Sequence, residues 1–345
     1  MKIQITLLLL LVIQYGPVTL PNYGNSTLSK FEINSVNESS PELSRFSCTI
    51  FTVEYNGSIY FGGNEDEGGL RKNTEVRFIP TEDETTYGMA LFGFVDNEVG
   101  GNDVDGIGIS GINEKGLCFD ANGLLPIKYV DSDIGGQSFS NLIFWEFILS
   151  KCASVSEVID WYQTHNMGGW WGNQIHWADS TGAAVVIGAN GTVAFTEKAH
   201  EKSFLISTNF NLADYSHGSF PCWRYTTVTD LLDHYVGLDD VTIDNLKSTL
   251  DNVHLIGTSA YIGTAYSHIF NLNTCEMYIY ILGNYDEVLH LDLAEELDKG
   301  KHSYRLTDDL ISSFSPKTSP SFKLLPIFLW IIPIAYWKRN KNTSN

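Results

Sequence analysis

The sequence predicts an α+β fold in which antiparallel strands predominate. Thirty glycines in 345 residues, together with many short apolar runs, favour a strand-rich or mixed fold over a helical bundle. Predicted strands come first, predicted helices occupy the middle, and strands return near the end, which is typical of a layered α+β domain. A hydrophobic content of 43% is enough for a sizeable core, and no internal repeat divides the chain.

The N-terminal region is expected to be removed from the folded domain. Met1 and Lys2 give a basic start to a short apolar run at residues 5–13, a pattern that indicates a secretory signal. We assign residues 1–21 to this signal peptide. Residues 22–47 are polar, rich in Asn and Ser and without clear periodicity, so we interpret them as a propeptide or spacer. A buried N-terminal strand or helix is the alternative.

The first half of the domain is predicted to be mostly strands. Residues 49–54 form a β-type run, Asn56-Gly57 is a strong two-residue hairpin turn, and the chain returns over residues 58–62. Further strands are predicted at residues 75–80, 89–95, 107–111 and 117–120, with a turn at 113–116 between the last two. This succession predicts a meander of neighbouring strands.

The middle of the chain combines helices with more strands. Helices are predicted at residues 140–151 and from Ser154 or Ser156 to Thr164, where a serine can cap the first turn. The Gly-Gly-Trp-Trp-Gly stretch at 168–172 is predicted to be a loop. Strands follow at 174–178, 183–187 and 192–196, and the last two flank a second Asn-Gly turn.

The closing part contains helices at 226–235 and 242–253, strands at 268–271, 276–282 and 287–290, and a short helix at 293–297. We place the whole domain at residues 48–308, followed by a linker at 309–323.

A second apolar run, residues 324–337, precedes a basic tail at 338–345. The run is shorter than the ~20 residues that a membrane helix prefers and it contains two prolines. The basic residues that follow it nevertheless favour a short membrane segment with its tail on the cytoplasmic side. We therefore expect an exported domain tethered to the outer face of a membrane. A core helix is the alternative.

Several function classes are excluded by composition and motif context. The formal net charge of -20 repels phosphate backbones, so no nucleic-acid partner is expected. The nine histidines are scattered and no Cys-x-x-Cys occurs, so neither a metal nor another cofactor is predicted. The glycines at 106, 108 and 111 spell G-x-G-x-x-G, but a turn and a strand follow where a dinucleotide site needs a helix. No G-x-S-x-G elbow of a serine hydrolase is present.

The five cysteines raise the question of a free thiol, because an odd number leaves one unpaired in an exported chain. Cys48 opens the first predicted hairpin. A papain-like pair with His176 can be drawn, but the papain-type flank is absent and Cys48 precedes a strand, not a helix. If the Ser47–Cys48 bond is cut, the α-amine of Cys48 supplies a base whose unperturbed pKa is about 7.7–8. A buried structural cysteine is the alternative that the residues alone leave open.

Several stretches, in chain order, resemble the N-terminal-nucleophile (Ntn) linear amide C–N hydrolases. This group includes choloylglycine hydrolases, penicillin V acylases and isopenicillin-N acyltransferase-like enzymes. The stretches are Cys48-Thr49 with the hairpin, Gly62-Gly63-Asn64-Glu65-Asp66, Asn113 to Leu117 with Asp120 to Gly123, Ser207-Thr208-Asn209, Cys222 to Tyr225, and Tyr266-Ser267-His268 through Ala294 to Leu297. The resemblance runs from Cys48 to about Leu297.

The resemblance implies a four-layer αββα sandwich and a set of site residues. Cys48 would be the nucleophile and Asp66 would hold its amine. Asn209 would donate its side-chain amide to the oxyanion, Arg224 would steady the nucleophile, and Asn122 would be a second oxyanion contact.

One departure concerns specificity. Many members carry Arg three residues before the aspartate, where this chain has Gly63, as in the acyltransferase-like branch. Bile-salt specificity is therefore not expected. Trp170 and Trp171 could line an acyl pocket, or they could simply be core tryptophans of a surface loop.

The resulting expectation is an autoprocessed amidohydrolase that acts on a small N-acyl amide through a thioester. Acyl transfer to an amine is one alternative, and a catalytically silent surface-binding domain is another. The sequence leaves self-association into a homo-oligomer open.

Overall fold

Two antiparallel sheets form the centre of the molecule. The computed structural model describes residues 48–67, 73–81, 83–95, 107–128, 144–165, 170–216, 218, 220–257, 263–307 and 310, with backbone only at 107, 125–128 and 170–171. The described residues belong to one compact unit of the chain. The predicted signal peptide, spacer, apolar segment and basic tail lie outside them.

The strands, in chain order, are β1 Thr49–Tyr55, β2 Ser58–Glu67, β3 Thr74–Ile79, β4 Met89–Phe94, β5 Ile107–Asn113, β6 Cys118–Lys128, β7 Trp170–Ala178, β8 Ala184–Asn190, β9 Thr192–Glu197, β10 Phe204–Ser207, β11 Gly263–Asn271, β12 Glu276–Ile281, β13 Asn284–Asp292 and β14 His302–Arg305. The helices are α1 Phe144–Lys151, α2 Val155–Thr164, α3 Trp223–Gly237, α4 Ile243–Val253 and α5 Leu293–Leu297. One sheet has the order β10-β1-β2-β11-β12-β13 and the other β14-β3-β4-β5-β6-β7-β8-β9.

The β1–β2 hairpin fixes the register of the first sheet. Asn56 and Gly57 have φ of 50° and 78°, the left-handed pair that a two-residue turn between twisted strands requires. Pairing runs from Tyr55 opposite Ser58 to Thr49 opposite Asn64. The predicted turn is confirmed, and β2 continues five residues beyond its predicted end at residue 62.

Alternation along each strand divides the apolar side chains among three layers of core. Between the sheets pack Ile50, Phe61, Phe78, Phe92 and Ile279, with others. Their sequence neighbours point outward: Phe51 and Val53 meet α3 and α4 on one side, while Leu91 and Phe119 meet α1 and α2 on the other. The result is a helix–sheet–sheet–helix sandwich, as the resemblance implies.

The helices begin where the sequence predicts a cap. Ser154 caps α2 by accepting a hydrogen bond from the backbone N–H of Glu157, and Thr242 caps α4 by accepting one from Asn245. The glycine-rich stretch at 106–111 runs into β5, a turn and β6, so the context of a dinucleotide site is missing.

Three sequence expectations differ from the structure. Residues 170–172 belong to β7 and not to a loop, because Trp170 and Trp171 pair with Lys128 and Ile127 of β6. The predicted strand at 117–120 extends to Lys128 as β6. The short strands β10 and β14 were not predicted. Each exists through pairing with a distant strand, β1 and β3 respectively.

All five cysteines lie in the part of the chain that the structure describes, and all five are free thiols. The sequence predicts at least one unpaired cysteine, and the structure leaves all five unpaired.

Candidate active site

Cys48 lies directly before β1, with its side chain 3% exposed. Because Thr49 pairs with Asn64, the next residues outward, Cys48 and Glu65, stand opposite each other. The Cys48 Sγ donates a hydrogen bond to Glu65 Oε1 at 3.3 Å. The thiol is thus held against a buried carboxyl at the mouth of the hairpin.

Arg224, in the first turn of α3, fixes the backbone of the nucleophile residue. Its Nη1 donates to the carbonyl oxygen of Cys48 at 2.7 Å and to Thr49 Oγ1 at 3.0 Å. Its Nη2 donates to Asn209 Oδ1 at 3.0 Å. These charge-assisted bonds tie the helix, the head of β1 and the segment after β10 together.

Asp66 lies near the end of β2 and is fully buried. Its Oδ1 accepts a hydrogen bond of 2.5 Å from Thr264 Oγ1 in β11, and its Oδ2 is 3.9 Å from Arg224 Nη1. The second distance is that of an ion pair without a hydrogen bond. Asp66 therefore lies beside the guanidinium that holds the head of β1.

Two asparagines provide amide donors. Asn209 is half-buried, and its Nδ2 donates one hydrogen to the carbonyl of Gly123 at 2.8 Å. Asn122, in β6 opposite Gln174, is fully buried, and its amide has no hydrogen-bond partner among the described residues. A buried side-chain amide that is not bonded to other described residues can donate a hydrogen bond to a bound substrate.

A second group of buried polar residues lies on the inter-sheet side of Cys48 and was not predicted. It consists of Glu65, Asp120 in β6 and His268 in β11, which are respectively 5%, 0% and 0% exposed. His268 pairs with Gly63 across the strands, and its Nε2 is 3.7 Å from Asp120 Oδ2. A Cβ at Gly63 would lie 2.6 Å from that oxygen and 2.8 Å from the imidazole Cε1. Asp120 and His268 thus fill the space that a side chain at Gly63 would need.

A signal for Glu65 was present in the sequence. A two-residue turn at 56–57 pairs 55 with 58, and counting outward pairs 48 with 65. No comparable count reveals Asp120 or His268, because β11 pairs with β2 from far along the chain and β6 belongs to the other sheet.

Burial sets the protonation of this group. Burial, with the charges of Glu65, Asp66 and Asp120, raises the pKa of the Cys48 thiol well above its usual value, and a backbone hydrogen bond from Asp66 acts against this. Burial also raises the pKa of Asp120, and burial together with the charges of Asp120 and Glu67 raises the pKa of Glu65. The intact chain therefore keeps the thiol protonated.

The two buried histidines are neutral. Burial lowers the pKa of His268 to about 3 and that of His176 to about 3. Because His268 is uncharged at neutral pH, its 3.7 Å contact with Asp120 is not a charged pair there. The ring nitrogens of His176 are hydrogen-bonded to Thr52 Oγ1 and Ser207 Oγ, both at 3.0 Å. The papain-like pairing of Cys48 with His176 is therefore absent, and His176 is a structural residue of β7.

The structure brings Cys48, Asp66, Asn209 and Arg224 together, whereas the other predicted site residues are less well defined. Asn122 lies two residues beyond Asp120 on β6. The side chains of Trp170 and Trp171 lie outside the described part of the structure. Within that part, no group of three or more His, Cys, Asp or Glu side chains is arranged to hold a metal ion.

Solved structures share this fold. Two variants of conjugated bile acid hydrolase from Clostridium perfringens match with a TM-score of 0.58 each, at 18% and 19% identity, and cover 75% of this chain and 97% of theirs. Penicillin V acylase from Agrobacterium tumefaciens matches with a TM-score of 0.53 at 13% identity, over 72% of this chain and 86% of its own. No protein-family model and no curated protein sequence matches the chain. The chain thus shares the fold of these two enzymes.

Proposed function

We propose that this protein hydrolyses a linear amide bond of a small N-acyl substrate, with Cys48 as an N-terminal nucleophile. The observation that carries the proposal is the convergence of Asp66, Asn209 and Arg224 on the head of β1, where Cys48 stands. The shared fold of the bile acid hydrolase and the penicillin V acylase supports it.

The chemistry requires that the bond before Cys48 be cut first. The freed α-amine then takes the thiol proton, Sγ attacks the amide carbonyl, and the amine returns the proton to the leaving nitrogen. Water hydrolyses the thioester and restores the thiol. Asp66 orients the amine in this scheme, and its negative charge raises the pKa of the ammonium form.

The developing oxyanion needs hydrogen-bond donors that are already in place. An amide nitrogen carries two hydrogens, and Asn209 uses one of them on Gly123, so the second is available to a substrate. Arg224 holds the Oδ1 of the same amide and so orients its nitrogen. Asn122 supplies the second donor, which is consistent with its lack of a partner among the described residues. Such a donor is typically worth about 2.7–4 kcal/mol of barrier.

The preferred substrate is not expected to be a conjugated bile acid. At Gly63 there is no arginine to meet an anionic group, and the space beside it is filled by Asp120 and His268.

The test compares full-length wild type with Cys48→Ala. Intact mass and N-terminal sequencing of the wild type should give a chain that begins at Cys48, while the variant should retain upstream residues. The wild type should release acid and amine from members of a panel of N-acyl amides, and the variant should release neither. Product analysis with an added amine separates hydrolysis from acyl transfer.

Two results would contradict the proposal. One is a wild type and a variant that begin at the same residue upstream of Cys48, because the α-amine base would then not exist. The other is equal amide hydrolysis by both proteins, which would place the activity elsewhere.

A further inference from the structure

The intact chain lacks the base that its own cleavage needs. Before cleavage the nitrogen of Cys48 is a peptide nitrogen, which has no basic lone pair. The α-amine that serves turnover therefore cannot take the thiol proton in the first, self-cleaving reaction. Another group within reach of the thiol has to do so.

Glu65 is the side chain in that position. Among the described residues it is the one whose side chain is hydrogen-bonded to the Cys48 thiol, through Oε1 at 3.3 Å. Its other oxygen, Oε2, is buried and has no hydrogen-bond partner among those residues. The carboxyl is therefore held by the hairpin register and is not committed to a structural network.

The contacts of the neighbouring ionisable side chains lead to other groups. The imidazole nitrogens of His268 and the Oδ2 of Asp120 have no hydrogen-bond partner among the described residues, and His268 Nε2 lies 3.7 Å from that oxygen. Asp66 accepts the hydroxyl of Thr264, and Asp120 accepts the backbone N–H of Ala121. His176 is bonded through both ring nitrogens to Thr52 and Ser207. None of these four bonds leads to the sulfur.

We propose that Glu65 is the general base of a self-cleavage at the Ser47–Cys48 bond, a step that precedes and is distinct from amide hydrolysis by the mature chain. This inference rests on the proposed function, because it supplies the N-terminal cysteine on which that function depends. The raised pKa of the buried Glu65 carboxyl is in the direction that suits this role, since a general base works best when its pKa lies near the operating pH.

The step balances as follows. The thiol proton passes from Sγ to Glu65 Oε1, and Sγ attacks the carbonyl carbon of Ser47. The bond between that carbon and the nitrogen of Cys48 breaks, and Glu65 returns the proton to this nitrogen. The products are a thioester between Ser47 and Cys48 Sγ and a free α-amine. Water then hydrolyses the thioester, which releases an upstream segment ending in the carboxylate of Ser47 and regenerates the thiol.

The test uses the full chain of wild type, Glu65→Gln and Glu67→Gln, each made by cell-free synthesis so that cleavage has a defined start. Glu67 lies two residues along the same strand and is half-buried, so E67Q removes the same charge as a matched control. Intact mass and N-terminal sequencing measure how much of each chain has been cleaved before Cys48 at each time. E67Q should stay within about tenfold of the wild-type rate, because its charge acts only on the pKa of Glu65. E65Q should be slower by about a hundredfold or more, the range of general-base catalysis.

Hydroxylamine identifies the step that is affected. It cuts thioesters, so it should speed release in the wild type if hydrolysis is slow, and it should leave E65Q uncleaved because no thioester forms. Release of E65Q at the wild-type rate with hydroxylamine would overturn the proposal, since Glu65 would then act after thioester formation.

Folding is checked by thermal unfolding and near-UV circular dichroism of each variant. Should E65Q not fold, Glu65→Asp decides. The side chain of E65D is shorter by one methylene, which moves its carboxylate away from the sulfur. E65D should therefore fold but cleave itself more slowly than the wild type, and an unchanged rate would overturn the proposal. Cleavage of folded E65Q at the wild-type rate would do the same.

Failure of this inference is separable from failure of the proposed function. In a further full-length chain, the residues just before Cys48 are replaced by the recognition sequence of a site-specific protease that cuts directly before it. If the protease-released chain hydrolyses amides but the wild type does not cleave itself, the inference about Glu65 is wrong and the proposed function stands. If self-cleavage depends on Glu65 but neither mature chain hydrolyses amides, the inference stands and the proposed function is wrong.

Discussion

At the scale of single residues, the site combines groups that sequence reasoning reached and groups that it missed. Cys48, Asp66, Asn209 and Arg224 were found because they resemble blocks of known Ntn hydrolases. Glu65, Asp120 and His268 lie within the same blocks, but the resemblance gave them no role, and two of them come from strands far along the chain. The type of a residue indicates its chemistry. Which residues lie close together depends on strand pairing and sheet packing, which cannot be read from their spacing in the sequence.

Asp120 gives a prediction on pH-dependent stability. Its pKa is raised in the folded protein by burial, so the folded state holds a proton that the unfolded state releases above about pH 4. The stabilisation is complete below the unfolded pKa and is lost as pH rises toward the folded pKa, by at most about 1.4 kcal/mol per pH unit. We therefore expect Asp120→Asn, which keeps an oxygen for the Ala121 N–H, to raise the melting temperature more at pH 8 than at pH 5.

The measurement is thermal unfolding of D120N beside its parent at both pH values. Both proteins should carry Cys48→Ala, so that chain cleavage does not differ between samples. An equal shift at pH 5 and pH 8 would show that Asp120 is ionised throughout and would contradict the prediction.

At the scale of elements, local signals predicted most strands and helices because alternation, turns and caps are local. The Asn56-Gly57 turn and the serine and threonine caps of α2 and α4 are examples. β10 and β14 have four residues each and pair with strands more than a hundred residues away, so no local pattern marks them. The tryptophans of 170–172 show the opposite error. Their flanking glycines suggest a loop, yet pairing with β6 makes them strand.

Three glycines provide a graded test of turn geometry. Gly57 has a left-handed φ of 78° with open space around its Cβ position, so Gly57→Ala should cost about 1–2 kcal/mol through backbone strain alone. Gly116 has φ 76° and a Cβ there would lie 2.1 Å from the carbonyl oxygen of Leu272, so Gly116→Ala should cost more. Gly172 has open space and no left-handed φ, so Gly172→Ala should not destabilise.

Urea unfolding of the three variants against the parent chain measures these free energies. The expected order of destabilisation is Gly116→Ala, then Gly57→Ala, with Gly172→Ala last. A Gly57→Ala variant as stable as the Gly172→Ala control would contradict the left-handed turn.

At the scale of the whole molecule, the four layers could not be derived from the element order alone. β1 lies between β10 and β2, and β2 lies between β1 and β11, so the first sheet joins segments from both ends of the domain. The sequence-based α+β assignment follows from composition and pattern. The αββα arrangement came from the resemblance, and the two sheets and their helix layers confirm it.

Attachment to a membrane is a prediction at this scale. No helix in the described part of the chain is long and apolar enough to cross a membrane. The apolar run at 324–337 lies outside that part, and we propose that it tethers the exported domain. Replacing Ile331 and Ile332 by Asp should move the protein from the membrane fraction to the soluble one, because each buried charge costs about 2.5–3.5 kcal/mol in a membrane segment.

Fractionation of expressing cells, followed by extraction of the membranes with alkaline carbonate, measures this distribution. Exchange of the two isoleucines for Leu is the matched control and should leave the protein in the pellet. Equal distribution of the Asp and Leu variants would argue against the tether.

The hydrogen bonds of Arg224 to the carbonyl of Cys48 and to the hydroxyl of Thr49 both lie downstream of the Ser47–Cys48 bond, the proposed cleavage site. A newly made chain end ordinarily frays, because nothing holds its first residues. Here the terminal residue would already be anchored by a buried guanidinium before it became terminal. Cleavage would then create a chain end with little added conformational entropy, and Cys48 would be one of the least mobile residues of the mature protein.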